Sequence, residues 1–341
     1  MAQQLSSFST LRVGGATDEL VVAQTEAELV AAVESAQAAG VPVLLIGGGS
    51  NLVIADDGFR GRTVVVRTRG YEVTADACGG AIVTVQAGHD WDEFVADCVE
   101  RRWSGLEALS GIPGTVGATP IQNVGAYGQE VGDWIYRVRT YDRVQKQFKT
   151  FSASDCEFSY RDSIFKRQPN RYIILEVTFQ LRLGDHSAPV MYSELAKAVG
   201  VEVGKRSKND LVRQEVLRLR NSKGMVLNEI DHDTWSVGSF FTNPVLEVLP
   251  NTIPNDAPRW PQLDGATKLS AAWLVEQAGF GKGFGLNQRA TLSNKHTLAI
   301  TNRGDATAAD ILELANFIQA GVKQKFGIDL EIEPNFVGDF E

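Results

Sequence analysis

The sequence predicts a mixed α/β fold whose middle is α+β in character, and three stretches carry that prediction. Between Thr25 and Gly49 a capped helical pattern runs straight into a short apolar strand and a triple-glycine turn. Residues 135–141, 148–151 and 173–183 read as successive strands, with connections too short for the crossover helices that parallel pairing needs. Residues 305–325 form a long amphipathic pattern that Gly327 stops.

Taken in order, Thr25 with Glu28 has capping-box spacing, and Leu29, Val30, Val33 and Ala36 form a helical stripe that Gly40 ends. Residues 41–46 are a β-rich apolar run closed by Gly47-Gly48-Gly49-Ser50-Asn51, after which 52–54 and 63–67 read as further strand. That glycine turn leads into Leu52-Val53-Ile54 rather than a helix, and no Walker lysine follows it. A dinucleotide fingerprint of the Rossmann kind and a P-loop are therefore both disfavoured. A phosphate-contacting turn at a strand end remains, against a plain tight turn.

Residues 81–88 alternate as a strand, and Asp90 with Glu93 caps a helix over 91–102. The segment Tyr160-Arg161-Asp162-Ser163-Ile164-Phe165-Lys166 reads either as a turn with an ion pair or as a device presenting Arg161 inward. Over 184–213 the charges Lys205, Arg206, Lys208 and Asp210 suggest a solvated connection, with a small helix starting near Ser193 and a second over 213–220. Pro250, Pro254, Pro258 and Pro261 suggest an extended surface excursion. Residues 270–277 read as helix, 279–285 as a glycine-rich loop, and 288–292 and 297–301 as strands.

Composition narrows the function classes. The chain has 341 residues, 33 basic against 42 acidic, for a formal charge of -9. No nucleic-acid footprint is expected from that balance. No signal peptide or membrane span is expected, which points to the cytoplasm. Cys78, Cys98 and Cys156 lack CxxC spacing and read as small core residues. His89, His186, His232 and His296 lack an i, i+4 pair, so neither a metal site nor a histidine-centred triad is expected.

The chemistry concentrates in GIPGTVGATPIQNVGAYG, residues 111–128. Its glycines let backbone N–H groups approach a ligand closely and form anion-binding nests. Thr115, Thr119, Gln122 and Asn123 add neutral hydrogen-bonding groups. With a second glycine turn at 47–51 and acid/base candidates limited to carboxylates, arginines and hydroxyls, the pattern is that of an enzyme relying on an organic cofactor.

Five motifs, IGGGSN at 46–51, SGIPGTVGATPIQNVGAYG at 110–128, YRDSIFK at 160–166, GSFFTNP at 238–244 and LEIEP at 330–334, resemble in order and spacing the UDP-N-acetylenolpyruvoylglucosamine reductase (MurB) family. The resemblance implies a vanillyl-alcohol-oxidase/PCMH-type FAD-binding fold of two α/β subdomains plus a third, α+β substrate-binding domain. The corresponding division is 1–69, rejoined by 328–341; 70–224; and 225–327. It implies non-covalent FAD, NADPH as hydride donor, and reduction of UDP-N-acetylglucosamine enolpyruvate to UDP-N-acetylmuramate for peptidoglycan synthesis by a cytoplasmic monomer that binds neither nucleic acid nor membrane. The cofactor residues would be Gly47, Gly48, Gly49, Ser50, Asn51, Ser110, Gly111, Gly114, Thr115, Gly117, Ala118, Asn123, Gly125, Ala126 and Tyr127.

By the same carry-over, Arg161, Ser239 and Glu333 are catalytic, and Tyr160, Tyr192, Lys223, Asn243 and Gln288 bind substrate. An arginine beside the enolpyruvyl carboxylate suits a developing enolate. A positioned hydroxyl suits protonation of the α-carbon. Tyr192 with its surrounding insertion resembles the type I members. Asn335 stands where the family more often has arginine, so Glu331 remains the alternative to Glu333, and 200–213 matches no family segment. A flavin oxidase or dehydrogenase of a hydroxy acid would share the glycine segments without needing the GSFFTNP serine. A nucleotide-sugar binding module would lack Arg161 and Glu333 in register.

Overall fold

The computed structural model describes residues 3–76, 80–262 and 264–340. The chain divides into two compact units: a first of Glu19–Gly48 and Gly61–Asn221, and a second of Met1–Asp18, Gly49–Arg60 and Ser222–Glu341.

The first unit is built on an antiparallel sheet in the order Gln147–Ser152, Ile135–Asp142, Tyr172–Leu183, Gly80–Gln86, Tyr71–Asp76. Trp103–Ser104 pairs with the end of Tyr172–Leu183. The three strands between residues 135 and 183 pair antiparallel, as their short connections predicted, whereas the strands Tyr71–Asp76 and Trp103–Ser104 were not foreseen. In the middle of the sheet Val138 faces Val177, which faces Val85, and all three are fully buried. The helix Trp91–Glu100 buries Trp91, Phe94, Val95 and Cys98 in the same core, with the Phe94 and Phe179 rings 5.2 Å apart. Its start is fixed as expected, Asp90 accepting from Glu93 N at 2.9 Å. It ends two residues earlier than the pattern suggested because Arg102 turns to φ +59°.

A three-stranded sheet runs Thr17–Ala23, Phe59–Val66, Val43–Ile46, with the last two parallel and Ile46 opposite Val65. Its helix Glu26–Ala38 carries the expected capping box in both directions, Glu28 N to Thr25 Oγ1 and Thr25 N to Glu28 Oε2, each 3.2 Å. The expectation of a solvated connection up to residue 213 is corrected: the second helix of that stretch begins at Asn209 and runs to Ser222. Val212, Val216 and Leu219 make its buried stripe and meet Val190, Leu195, Ala196 and Val199 around Ala108. Interleaved charges hid this i, i+4, i+7 pattern.

In the second unit the dominant helix is Ala308–Phe326. It starts at the reciprocal Thr307–Asp310 box and stops at Gly327, which sits at φ +72° as a left-handed cap. Asn335–Val337 lies parallel to Leu52–Ile54, and Ala290–Leu292 pairs antiparallel with Ile300–Asn302. The proline-rich surface excursion is also corrected. Arg259–Pro261 is an edge strand of a small antiparallel sheet with Thr267–Leu269 and Val245–Leu246, and Ile253 and Ala257 are buried. Proline is tolerated there because an edge strand has N–H positions that need no partner.

Cys98 and Cys156 are buried free thiols, as expected, and burial pushes the Cys156 thiol up to about 12; Cys78 lies outside the described residues. Among the described residues no helix is long and apolar enough to cross a membrane, and no three His, Cys, Asp or Glu side chains group as metal ligands.

Candidate active site

In the first unit the two glycine-rich segments, far apart in sequence, come into contact. A Cβ on Gly48 would overlap the Gly114 Cα, and one on Gly47 would overlap the Thr115 hydroxyl. Only glycine permits this approach. The Gly47 carbonyl is tied down by Arg67 Nη1 at 2.9 Å. Trp91 N donates to Gly114 O, Val116 N to His89 O and Gly117 N to Ala87 O, so the segment is laced to the start of the capped helix. A Cβ on Gly117 would come 2.5 Å from the Ala87 Cβ, and Ala118 N closes a tight turn onto Thr115 O. The N–H groups of Gly47, Gly48, Ile112, Gly114 and Thr115 donate to no acceptor among the described residues. Successive unpaired N–H groups on two touching segments are the raw material of an anion nest.

The rest of the segment is held from within. Ser110 is fully buried and donates to Glu107 O at 2.7 Å, while Gly111 sits at φ +70° and donates to Asp92 Oδ1 at 2.6 Å. Asn123, at φ +46°, spends its amide on Glu130 Oε2 (2.6 Å) and Ser159 O (3.1 Å), and its oxygen accepts from Gly132 N at 2.9 Å. Gly125 and Ala126 pair with Glu130 and Gln129 across a two-residue turn, with Tyr127 at φ +51° and Gly128 at φ +79°. Both central residues in the left-handed region define the primed hairpin turn, for which tyrosine is a costly first residue. Burial pushes the Tyr127 phenol up to about 12, and its ring meets Tyr192 edge to face at 5.6 Å.

Arg161 stands on a second strained turn. Ser159 and Asp162 exchange N–H to C=O bonds of 3.1 Å each, which forces Arg161 to φ +56°. Its guanidinium donates through Nη2 to Gly125 O at 3.0 Å and lies 5.3 Å from the Tyr160 ring. The turn is locked by Lys166 Nζ onto Arg161 O (2.8 Å), by Ser163 Oγ onto Ile121 O (2.6 Å), and by the Asp162–Arg167 ion pair. YRDSIFK is therefore a turn with an ion pair, and it lays the Arg161 guanidinium against the Gly125 carbonyl.

In the second unit, Ser239 is half-buried after Gly238 at φ +77°, and its hydroxyl has no hydrogen-bond partner among the described residues. The stretch it opens pairs with 331–333: Glu333 N donates to Phe240 O (2.9 Å), Phe241 bridges Ile332, and Thr242 N donates to Glu331 O (3.0 Å). The backbones of Ser239 and Glu333 are thus neighbours across this ladder, while Glu331 sits two residues along it and is exposed. Asn51 Nδ2 reaches Glu333 O at 3.4 Å, and Asn335 N donates to Asn51 O at 2.9 Å. Gly49, at φ +63°, packs its Cα against Phe8 O, and Ser50 beside it is half-buried. Asn243 Oδ1 accepts Ala271 N at 2.9 Å at the start of a helix, Lys223 is half-buried, and Gln288 is exposed. Sequence reasoning missed Asp92 and Glu130, whose carboxylates hold Gly111 and Asn123 of the glycine segment, because neither pair has a recognisable local spacing.

Residues 17–145 match a family model described as an FAD binding domain, and residues 229–337 match the UDP-N-acetylenolpyruvoylglucosamine reductase C-terminal domain. A UDP-N-acetylenolpyruvoylglucosamine reductase of Cutibacterium acnes is 52% identical over 336 residues, 98% of this chain and 89% of the relative. The chain belongs to the UDP-N-acetylenolpyruvoylglucosamine reductase family. Another member, from Salinispora arenicola, is 50% identical over 98% of this chain and 94% of its own length. The crystal structure of the Thermus caldophilus reductase superposes with a TM-score of 0.69 at 24% identity, over 99% of this chain and 98% of that one, which establishes a shared fold. The FAD-binding match contains the contact between Gly47, Gly48, Gly114 and Thr115. Its unpaired N–H groups fit the dinucleotide's pyrophosphate.

Proposed function

We propose that Arg161, Ser239 and Glu333 carry the family's reaction, the reduction of UDP-N-acetylglucosamine enolpyruvate to UDP-N-acetylmuramate, with non-covalent FAD and NADPH as hydride donor. The reading is supported by the unpaired donor nest at Gly47, Gly48, Ile112, Gly114 and Thr115 in a chain half-identical to named reductases over 98% of its length. Bound FAD would supply hydride exchange between the nicotinamide and the enolpyruvyl double bond.

The chain's own residues do the rest. The nest N–H groups hold diphosphate, Gly49, Ser50 and Asn51 extend the same turn, and Ala126 and Tyr127 form the hairpin rim. As the methylene carbon gains hydrogen, negative charge grows toward the carboxylate, where the Arg161 guanidinium stabilises it. The Ser239 hydroxyl, uncommitted to any protein acceptor, donates the proton to the α-carbon. Glu333, backbone-paired beside it, polarises the enol in preference to the exposed Glu331. Tyr160, Tyr192, Lys223 and Gln288 hold the substrate's sugar and diphosphate, together with the amide NH₂ of Asn243, whose oxygen is engaged at Ala271.

The same reading divides the chain functionally into 1–69 with 328–341, 70–224 and 225–327, and makes it a cytoplasmic monomer. The purified protein should show flavin absorbance that NADPH bleaches anaerobically and the enolpyruvyl substrate restores, and acid precipitation should release free FAD. A protein that stays colourless after FAD is added refutes the reading.

A further inference from the structure

The stretch 184–221, of which 200–213 matched no family segment, is fastened to the glycine segment at several points. Its two helices share one apolar core with Ala108, and Tyr127 packs on that core. A Cβ on Gly128 would meet the Met191 Cβ at 3.2 Å. Glu107, only 1% exposed, uses one carboxylate oxygen to accept Gly105 N at 2.7 Å and the other to accept Ala188 N at 2.6 Å. The tie nearest the nest is Asp92. Arg213 Nη1 and Nη2 grip its two oxygens at 2.6 and 2.9 Å, and the oxygen held by Nη1 also takes Gly111 N at 2.6 Å. Burial alone would raise the Asp92 carboxyl, but the bonds from Arg213 and Gly111 outweigh it and hold it below its ordinary value.

We propose that Asp92 and Arg213 are positioning residues for the flavin. Their bidentate pair fixes the Gly111 amide at the mouth of the segment, so that the 184–221 stretch sets how well the unpaired N–H groups of Ile112, Gly114 and Thr115 are aimed. Gly111 sits at φ +70°, where glycine has wide conformational freedom. The hydrogen bond to Asp92 removes that freedom before ligand arrives, and preorganisation of this kind acts on affinity. An arginine suits the role because its planar fork holds both oxygens and leaves a second lone pair on Oδ1 to accept the amide. This inference rests on the flavin reading of the nest.

The test is titration of apoprotein with FAD, followed by flavin fluorescence, together with urea unfolding of each apoprotein. Asp92→Asn and Arg213→Ala should each raise the FAD Kd roughly tenfold, the loss expected for a charge-assisted hydrogen bond. The double variant should lie within about threefold of the weaker single, because both changes remove one linked interaction. At saturating FAD, turnover should return to the parent level, since neither residue touches reacting atoms. Arg218→Ala, which breaks the exposed Arg218–Glu215 pair on the same helix, should leave the Kd unchanged. Arg213→Lys keeps charge and helix propensity, guards against misfolding, and should give a rise between parent and Arg213→Ala. Parent-like Kd values in Asp92→Asn and Arg213→Ala overturn the inference while leaving the flavin reading intact. An equal rise in Arg218→Ala also overturns it, as a general effect of the helix. A parent apoprotein that takes up no FAD overturns the flavin reading, and the inference with it.

Discussion

Replacing Ser239 with alanine separates chemistry from structure more cleanly than any other single change in this chain. The hydroxyl is half-buried and has no hydrogen-bond partner among the described residues, so its loss strands no buried group. The backbone bonds that hold the stretch, Phe240 N to Leu298 O and Glu333 N to Phe240 O, are untouched. Stability should therefore change by no more than about 0.5 kcal/mol. If the hydroxyl is the proton donor, its removal should slow the substrate half-reaction by roughly 10²- to 10⁴-fold, or about 3–5 kcal/mol of barrier at roughly 1.4 kcal/mol per tenfold. Anaerobic stopped-flow absorbance in the oxidised-flavin band follows both half-reactions. Bleaching by NADPH should proceed at the parent rate, and reoxidation by the enolpyruvyl substrate should carry the whole deficit. Equal slowing of both phases would show that Ser239 supports the flavin instead. Reoxidation at the parent rate would assign the proton to Glu333 or a bound water.

Two further outcomes follow from the geometry. A Cβ on Gly125 would stand 2.8 Å from Gln129 O and 3.2 Å from Arg161 Nη1. Gly125→Ala should therefore strain the hairpin, shift the guanidinium and lower turnover at saturating FAD roughly 10²-fold, and parent-like turnover would show that Arg161 is not held there for catalysis. Asp142 is fully buried, accepts Arg171 Nη2 at 2.9 Å and the amides of Val144 and Gln145 at 2.9 and 3.1 Å, and these bonds outweigh burial to hold its carboxyl below the ordinary value. Asp142→Ala should cost roughly 3 kcal/mol at neutral pH. Because the folded-state value is depressed, that difference is fully present above the unfolded-state value of about 4 and shrinks as pH falls below it. Urea unfolding at several pH values measures it, and a gap that persists unchanged in acid would contradict the assignment.

What was legible in the sequence was whatever is decided within a few residues. The caps at Thr25 and Asp90, the stop at Gly327 and the apolar run of the central strand Tyr172–Leu183 are local statements, and the structure follows them. The helix Asn209–Ser222 was half-hidden because its outer face is charged and only Val212, Val216 and Leu219 report its inner one. The sheet of Val245–Leu246, Thr267–Leu269 and Arg259–Pro261 was hidden because prolines argue against strands in general but not against an edge. The Asp92–Arg213 pair has no sequence signature at all, since its members lie 121 positions apart.

The candidate site adds a different kind of illegibility. Sequence reasoning assigns left-handed backbone to glycine, and at Gly111, Gly114 and Gly128 that rule holds. At Asn123, Tyr127 and Arg161 it does not: these residues take the same strained region with full side chains, at a cost of about 1–3 kcal/mol each. Arg102, Lys146, Glu157 and Asn170 also have positive φ, but they close a helix or a turn where little else is at stake. The first three lie on or against one glycine segment and bond to one another's neighbours, Asn123 to Ser159 O and Arg161 to Gly125 O. Glycine at 127 or 161 would relieve the backbone and remove the side chain. The strain therefore falls at positions whose side chains the proposed function assigns to the cofactor and the reaction, and no propensity rule marks those positions in the sequence.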